Sequence, residues 1–101
     1  MASGSVKRAI QPMTVLMGSQ QASATFEVGN FSFGFLIGYY RDANPSGNTL
    51  SGYCIIYTNN NVAYIDAKTE FTALDSVSFG DGILTVNTNI GYMTLTFLPL
   101  Y

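Results

Sequence analysis

The chain has 101 residues and a mass of 10.9 kDa, the size of one small domain with a high ratio of surface to volume. Only 10% of its residues are charged, against roughly 25% in an average globular domain. Its four basic residues do not form the basic patch that nucleic acid binding requires, and its apolar runs stop well short of the roughly 18 residues of a membrane helix. We therefore expect no nucleic acid and no membrane as partners.

Residues 1–23 contain apolar side chains that settle into no long period, and Pro12 restricts where this segment can pair as a strand. We interpret it as an extended N-terminal arm that precedes a β-sandwich domain over residues 24–101. Two interpretations of the arm stay open on sequence alone. It reaches a neighbouring subunit, or it is a frayed terminus.

The first clear strand signal covers residues 24–28, where Ala24, Phe26 and Val28 alternate with polar residues and are predicted to point inward. Gly29 and Asn30 follow and predict a hairpin turn into the next strand.

Residues 31–40 are the longest apolar run, and we expect the domain to be organised around them. Their two-residue period predicts a strand, because two interior glycines would each cost a helix about 1 kcal/mol. We predict that the bulky side chains of this strand lie in the core. The other face is predicted to meet neighbouring subunits through the following residues: Leu36, Gly38 and Tyr40.

A loop over residues 41–48 is predicted from its closely spaced Pro, Gly, Asn and Asp residues, which suit turn conformations. Long loops are where contact chemistry is most often placed. Together with the turn at residues 59–61 and exposed tyrosines, this loop supplies our candidate partner-contact residues: Arg41, Asp42, Asn44, Asn48, Asn59, Asn60, Tyr40 and Tyr57.

The remaining chain alternates short strands with tight turns. Strands are predicted over residues 50–58 and 62–66, and a turn followed by an irregular strand over 67–75. Hairpin turns are predicted at 80–82 and 89–91. The fold class is therefore all-β, an antiparallel β-sandwich or jelly-roll-like domain of six to eight short strands. The predicted core contains Phe33, Phe35, Ile37, Cys54, Ile56, Leu84, Val86, Leu95 and Phe97.

Catalytic chemistry has little support in the sequence. There is no histidine, and Cys54 lies in an apolar strand without an imidazole to activate it. Six acidic residues leave a pair of facing carboxylates open, as a glycosidase would need, but most of the six fall at turns or strand ends. We predict a non-enzymatic protein with no catalytic residue, no cofactor and no metal site.

Two segments carry a family resemblance. Residues 76–100, SVSFGDGILTVNTNIGYMTLTFLPL, and residues 52–65, GYCIIYTNNNVAYI, resemble small β-sandwich tips and short structural proteins of bacteriophage tail and head modules. The resemblance implies a virion component made in the host cytoplasm, usually a homotrimer, that serves as a tail-fibre or receptor-binding tip or as a capsid decoration protein. Its implied partners are other virion proteins or a host cell-surface glycan.

Three classes of function are therefore compatible with the sequence. A virion structural subunit accounts for the low charge and the β pattern, since an assembly hides surface that a monomer would have to cover with polar groups. A free carbohydrate-binding module would account for the seven tyrosines but more often carries tryptophan, which is missing. A small phage-encoded inhibitor of a host enzyme is the third class.

Overall fold

A computed structural model describes residues 11–42 and 47–101. Over these residues the chain forms eight strands in two antiparallel sheets and one helical turn, so the predicted all-β antiparallel sandwich is confirmed. The elements are β1 (Met13–Leu16), β2 (Ser23–Glu27), β3 (Phe33–Tyr40), α1 (Gly47–Leu50), β4 (Gly52–Asn59), β5 (Val62–Asp66), β6 (Leu74–Gly80), β7 (Ile83–Thr88) and β8 (Met93–Pro99).

The strands divide unequally between the sheets. The five-stranded sheet has the order β1-β8-β3-β4-β5, and the three-stranded sheet has the order β2-β7-β6. Strand β3 therefore lies at the centre of the larger sheet, as its long apolar run predicts, and pairs on its two sides with β4 and β8.

The predicted orientation of β3 is wrong. Phe33 and Ile37 are exposed and Phe35 is half-buried, whereas Leu36 is fully buried. The reason is space, because the inner face of β3 lies against large rings from other elements. At Gly38, an added Cβ would stand 2.5 Å from Cε1 of the buried Phe71. Small residues therefore face inward here, and the bulky ones face outward.

The core between the sheets is built from both layers. Phe97 of β8 lies at its centre, with ring centroids 5.3 Å from Phe31 and 6.0 Å from Phe26. The other six predicted core residues are buried as expected, and so are the three inward positions of the segment 24–28. These confirmed residues are Cys54, Ile56, Leu84, Val86, Leu95, Phe97, Ala24, Phe26 and Val28.

Two of the predicted hairpins are confirmed. Asn60 and Asn61 join β4 to β5, and Asp81 and Gly82 join β6 to β7, all four with positive φ, as the tight primed hairpin turns require. The turn and irregular strand predicted over residues 67–75 form a longer connection instead, because residues 67–73 are not in a strand and β6 begins at Leu74, with a register shift between Leu74 and Ser76.

Two other predicted turns connect the sheets instead of forming hairpins. The chain passes through residues 28–32 from β2 in the small sheet to β3 in the large one, and through residues 89–92 from β7 to β8. Local turn chemistry predicts a reversal at these sites but carries no information about which strand receives the chain.

Part of the predicted N-terminal arm belongs to the large sheet. Strand β1 pairs with β8 over four residues, and Met17, which follows it, is fully buried and donates its backbone N–H to the Met93 carbonyl at 2.8 Å. Residues 1–10 lie outside the described residues.

Candidate functional site

The described candidate contact residues fall at opposite ends of the large sheet. Arg41 and Asp42 follow the last residue of β3, whereas Asn59 and Asn60 lie at the far end of β4, which runs antiparallel to it. A strand of eight residues spans about 26 Å, so these two groups cannot contact one small ligand together. Asn44 and the side chain of Asn48 lie outside the described part of the chain.

The Arg41 side chain makes contacts within the same chain. Its Nη2 donates a hydrogen bond to the Met17 carbonyl, and its guanidinium carbon lies 5.8 Å from the centroid of the Tyr92 ring. Its backbone N–H also donates to the Tyr92 carbonyl at 2.9 Å. Arg41, Asp42 and Tyr92 border an open cleft of about 250 Å³. These contacts indicate that Arg41 joins β3 to the ends of β1 and β8.

The two candidate tyrosines point in opposite directions. Tyr40 is half-buried and packs against the core, on the same side of β3 as the buried Leu36 and Gly38, and its predicted role as a partner contact stays a prediction. Tyr57 is exposed on the outside of the large sheet and stacks on Tyr64 of β5, with ring centroids 5.2 Å apart.

The outside of the large sheet is unusually apolar, and we call it the aromatic face. Outward-facing residues from all five strands form it, and cross-strand pairing places them in rows. In one central row Tyr53, Ile37 and Thr96 are neighbours, and in the next Ile55, Phe35 and Leu98 are neighbours. The face comprises Thr14, Leu16, Phe33, Phe35, Ile37, Tyr39, Tyr53, Ile55, Tyr57, Asn59, Val62, Tyr64, Asp66, Thr94, Thr96 and Leu98.

Many of these side chains are largely in water. Leu16 is 67% exposed, Tyr39 62% and Tyr53 49%. Ring pairs order part of the surface, because Phe35 lies 5.4 Å from Tyr53 and Phe33 stacks on the C-terminal Tyr101 at 6.2 Å. Isolated exposed apolar residues are common on proteins, but a contiguous patch of this kind is uncommon on a monomeric soluble protein.

The outside of the small sheet is the opposite in character, and we call it the polar face. It carries one large apolar residue, Ile83, among the outward positions of β2, β6 and β7 in the described residues. Its remaining outward side chains are Ser23, Thr25, Glu27, Ser76, Ser78, Thr85 and Asn87. The outer surfaces of the two sheets thus differ sharply in polarity.

Reactive groups do not converge in the described structure. Cys54 is buried, and burial raises the pKa of its thiol from 9.0 to about 11, with nearby Lys68 acting weakly in the other direction. A thiol with this pKa is protonated at neutral pH and is a poor nucleophile. Within residues 11–42 and 47–101, no group of three or more His, Cys, Asp or Glu residues is placed to hold a metal ion. In the part of the chain that the structure describes, no helix is long and apolar enough to cross a membrane.

Sequence reasoning missed the aromatic face because it placed the bulky side of β3 in the core. The signal that identifies it is present in the sequence: glycine occupies two of the four alternate positions opposite Phe33, Phe35 and Ile37. In a central strand, such glycines indicate close approach of other groups on their own side.

Comparison with protein-family models, with curated proteins and with solved structures finds no match to this chain.

Proposed function

We propose that this protein is a non-enzymatic structural subunit of a bacteriophage virion that works as a homo-oligomer, with three subunits expected. It would belong to a tail fibre or tail tip, or to the capsid surface, and would contact other virion proteins or a host receptor. The observation that carries the proposal is the contrast between the aromatic face and the polar face. A subunit that buries one face permanently and exposes the other has this distribution of side chains.

The low charge of the chain supports the same proposal. With 10% charged residues, a monomer would depend on Ser, Thr, Asn and Gln for its hydration, and on the polar face these residues supply most of the outward side chains. Assembly removes the aromatic face from water and gains roughly 25 cal/mol for each Å² of apolar area buried.

A carbohydrate-binding module is the second candidate, and one feature favours it. Tyr64, Tyr57 and Phe33 form a row of neighbouring rings at the end of the aromatic face that adjoins the turn at Asn60. Rings with amides nearby can bind a sugar by stacking and hydrogen bonding. Because exposed apolar side chains beyond this row include Leu16 on β1, Tyr39 on β3 and Tyr53 on β4, assembly accounts for more of the face.

Two measurements test the proposed function. Native mass spectrometry of the purified chain should give a homo-oligomer. If the genome that encodes the chain produces phage particles, proteomic analysis of those purified particles should detect the chain in a fixed copy number. A chain missing from the particles would reject the virion role.

A further inference from the structure

We propose that the aromatic face is the contact between copies of this chain, with the β3–β4 half of one copy packed on the β8–β1 half of the next. This inference rests on the proposed function and names the partner and the contact surface of the subunit. Three features of the described residues carry it: the relief of the face, its size and its lack of charge.

The two halves of the aromatic face differ in relief, that is, in how far their side chains extend from the sheet. The β3–β4 half presents large side chains, with Phe35, Ile37 and Tyr53 at its centre. The β8–β1 half presents three threonines, of which Thr14 and Thr96 bond to each other through their hydroxyls at 3.0 Å, and two large side chains, Leu16 and Leu98. Sheets that pack face to face interdigitate large and small side chains at a spacing of about 10 Å. The β3–β4 half, which we call the raised half, therefore fits the β8–β1 half, which we call the low half, of another copy.

The area of the face suits a stable interface. Five strands spaced by about 4.8 Å cover about 24 Å, and the eight residues of β3 cover about 26 Å, which gives a plane of about 600 Å² before the side chains add relief. A standard interface buries about 800 Å² on each partner. The face approaches this value only as a whole, so a subunit would have to pack both of its halves on other copies, and the buried area is then divided between two contacts.

The charge of the face favours a second copy over a partner that is selected by charge. Among the described outward side chains of the large sheet, Asp66 is the one charged residue, and it lies on the edge strand β5. An uncharged surface can meet an identical surface without like-charge repulsion, and it offers nothing to complement on a charged partner.

The experiment places a lysine at the centre of each sheet of the full-length chain. Ile37→Lys puts a charge in the raised half of the aromatic face, and Thr96→Lys puts one in the low half. Thr85→Lys is the matched control at the centre of the polar face. Sedimentation equilibrium measures the dissociation constant of each variant, and circular dichroism checks that each is folded.

We expect Ile37→Lys and Thr96→Lys each to raise the dissociation constant by at least about a hundredfold, because an unpaired ammonium would be buried, and Thr85→Lys to leave it unchanged. Tyr39→Lys, at a position 62% exposed in the single chain, replaces Ile37→Lys if that variant does not fold.

The outcomes separate this inference from the proposed function. An oligomeric wild-type chain whose aromatic-face lysine variants associate as tightly as wild type would overturn the interface and leave the proposed function standing. Loss of association with Ile37→Lys but not with Thr96→Lys would overturn the packing of one half on the other. A monomeric wild-type chain would overturn the inference together with the oligomer of the proposed function, and glycan binding by that monomer would assign the face to the second candidate.

Discussion

Gly34 of β3 lies directly against the ring of Phe97 on the neighbouring strand β8. A Cβ at position 34 would stand 2.7 Å from Cε1 of that ring and 2.8 Å from the Leu98 carbonyl oxygen. This close packing determines which way β3 faces. Because the inner side has room only for hydrogen at residue 34, the alternation of the strand sends Phe33 and Phe35 outward.

Gly34→Ala should therefore destabilise the protein. The added methyl group collides with a buried ring and with backbone, and overpacking of this kind costs about 1–3 kcal/mol. Chemical denaturation measures the change in the free energy of unfolding. Gly80→Ala is the control, since nothing lies within 4 Å of a Cβ there and its φ is not positive. Equal stability of the two variants would contradict the packing.

Two phenylalanines that look alike in sequence should differ in their effect on folding. Phe97→Ala removes a fully buried ring and should lower the free energy of unfolding by about 3–5 kcal/mol. Phe33→Ala should cost at most about 1 kcal/mol in a monomer, because Phe33 is 41% exposed. Both are measured by denaturation in the Tyr39→Lys background, which is expected to remove the contribution of assembly. A larger loss of unfolding free energy from Phe33→Ala would show that Phe33 packs in the core and would contradict its outward position.

Much of the fold was predictable because strand periodicity and turn chemistry act locally. The turn at Asn60 and Asn61 and the hairpin at Asp81 and Gly82 need nothing beyond neighbouring residues. Which face of β3 points inward was not predictable in this way, since it depends on contacts with Phe97 and Phe71, which are distant in sequence. The predicted contact with neighbouring subunits was therefore placed on the side of β3 that faces the core.

The hairpin at Asn61 should respond to residue type through its backbone. Asn61 has a φ of 62°, which glycine adopts freely and a β-branched residue adopts at a cost of about 1–2 kcal/mol. Asn61→Val should lower the thermal midpoint, and Asn61→Gly should keep or raise it. A midpoint that Asn61→Val leaves unchanged would show that this turn does not constrain the fold.

Cys54 should make stability depend on alkaline pH. Its pKa is raised from 9.0 to about 11 in the folded protein, so the folded state binds the proton more tightly than the unfolded state. Stability is then complete below pH 9 and falls as the pH rises towards 11, by about 1.4 kcal/mol per pH unit at most. Denaturation of wild type and Cys54→Ala across this range isolates the thiol from the tyrosines. Parallel curves would contradict the assignment.

Arg41 should act mainly through the fold. Arg41→Met removes the hydrogen bond to the Met17 carbonyl and the contact with the Tyr92 ring, and should lower the free energy of unfolding by about 1 kcal/mol. Arg41→Lys should restore part of this, because lysine keeps the charge but loses the planar donor group. If Arg41→Met instead leaves stability unchanged while reducing incorporation into particles, the residue is a partner contact as the sequence predicted.

The aromatic face has its most direct test in the mass of the wild-type chain in solution. Sedimentation equilibrium over a range from about 1 to 100 μM covers the affinities expected for an interface of this size. We expect a homo-oligomer throughout this range, at three times the 10.9 kDa of the single chain for the expected trimer. A mass of 10.9 kDa at every concentration, with the aromatic face left in water, would contradict it.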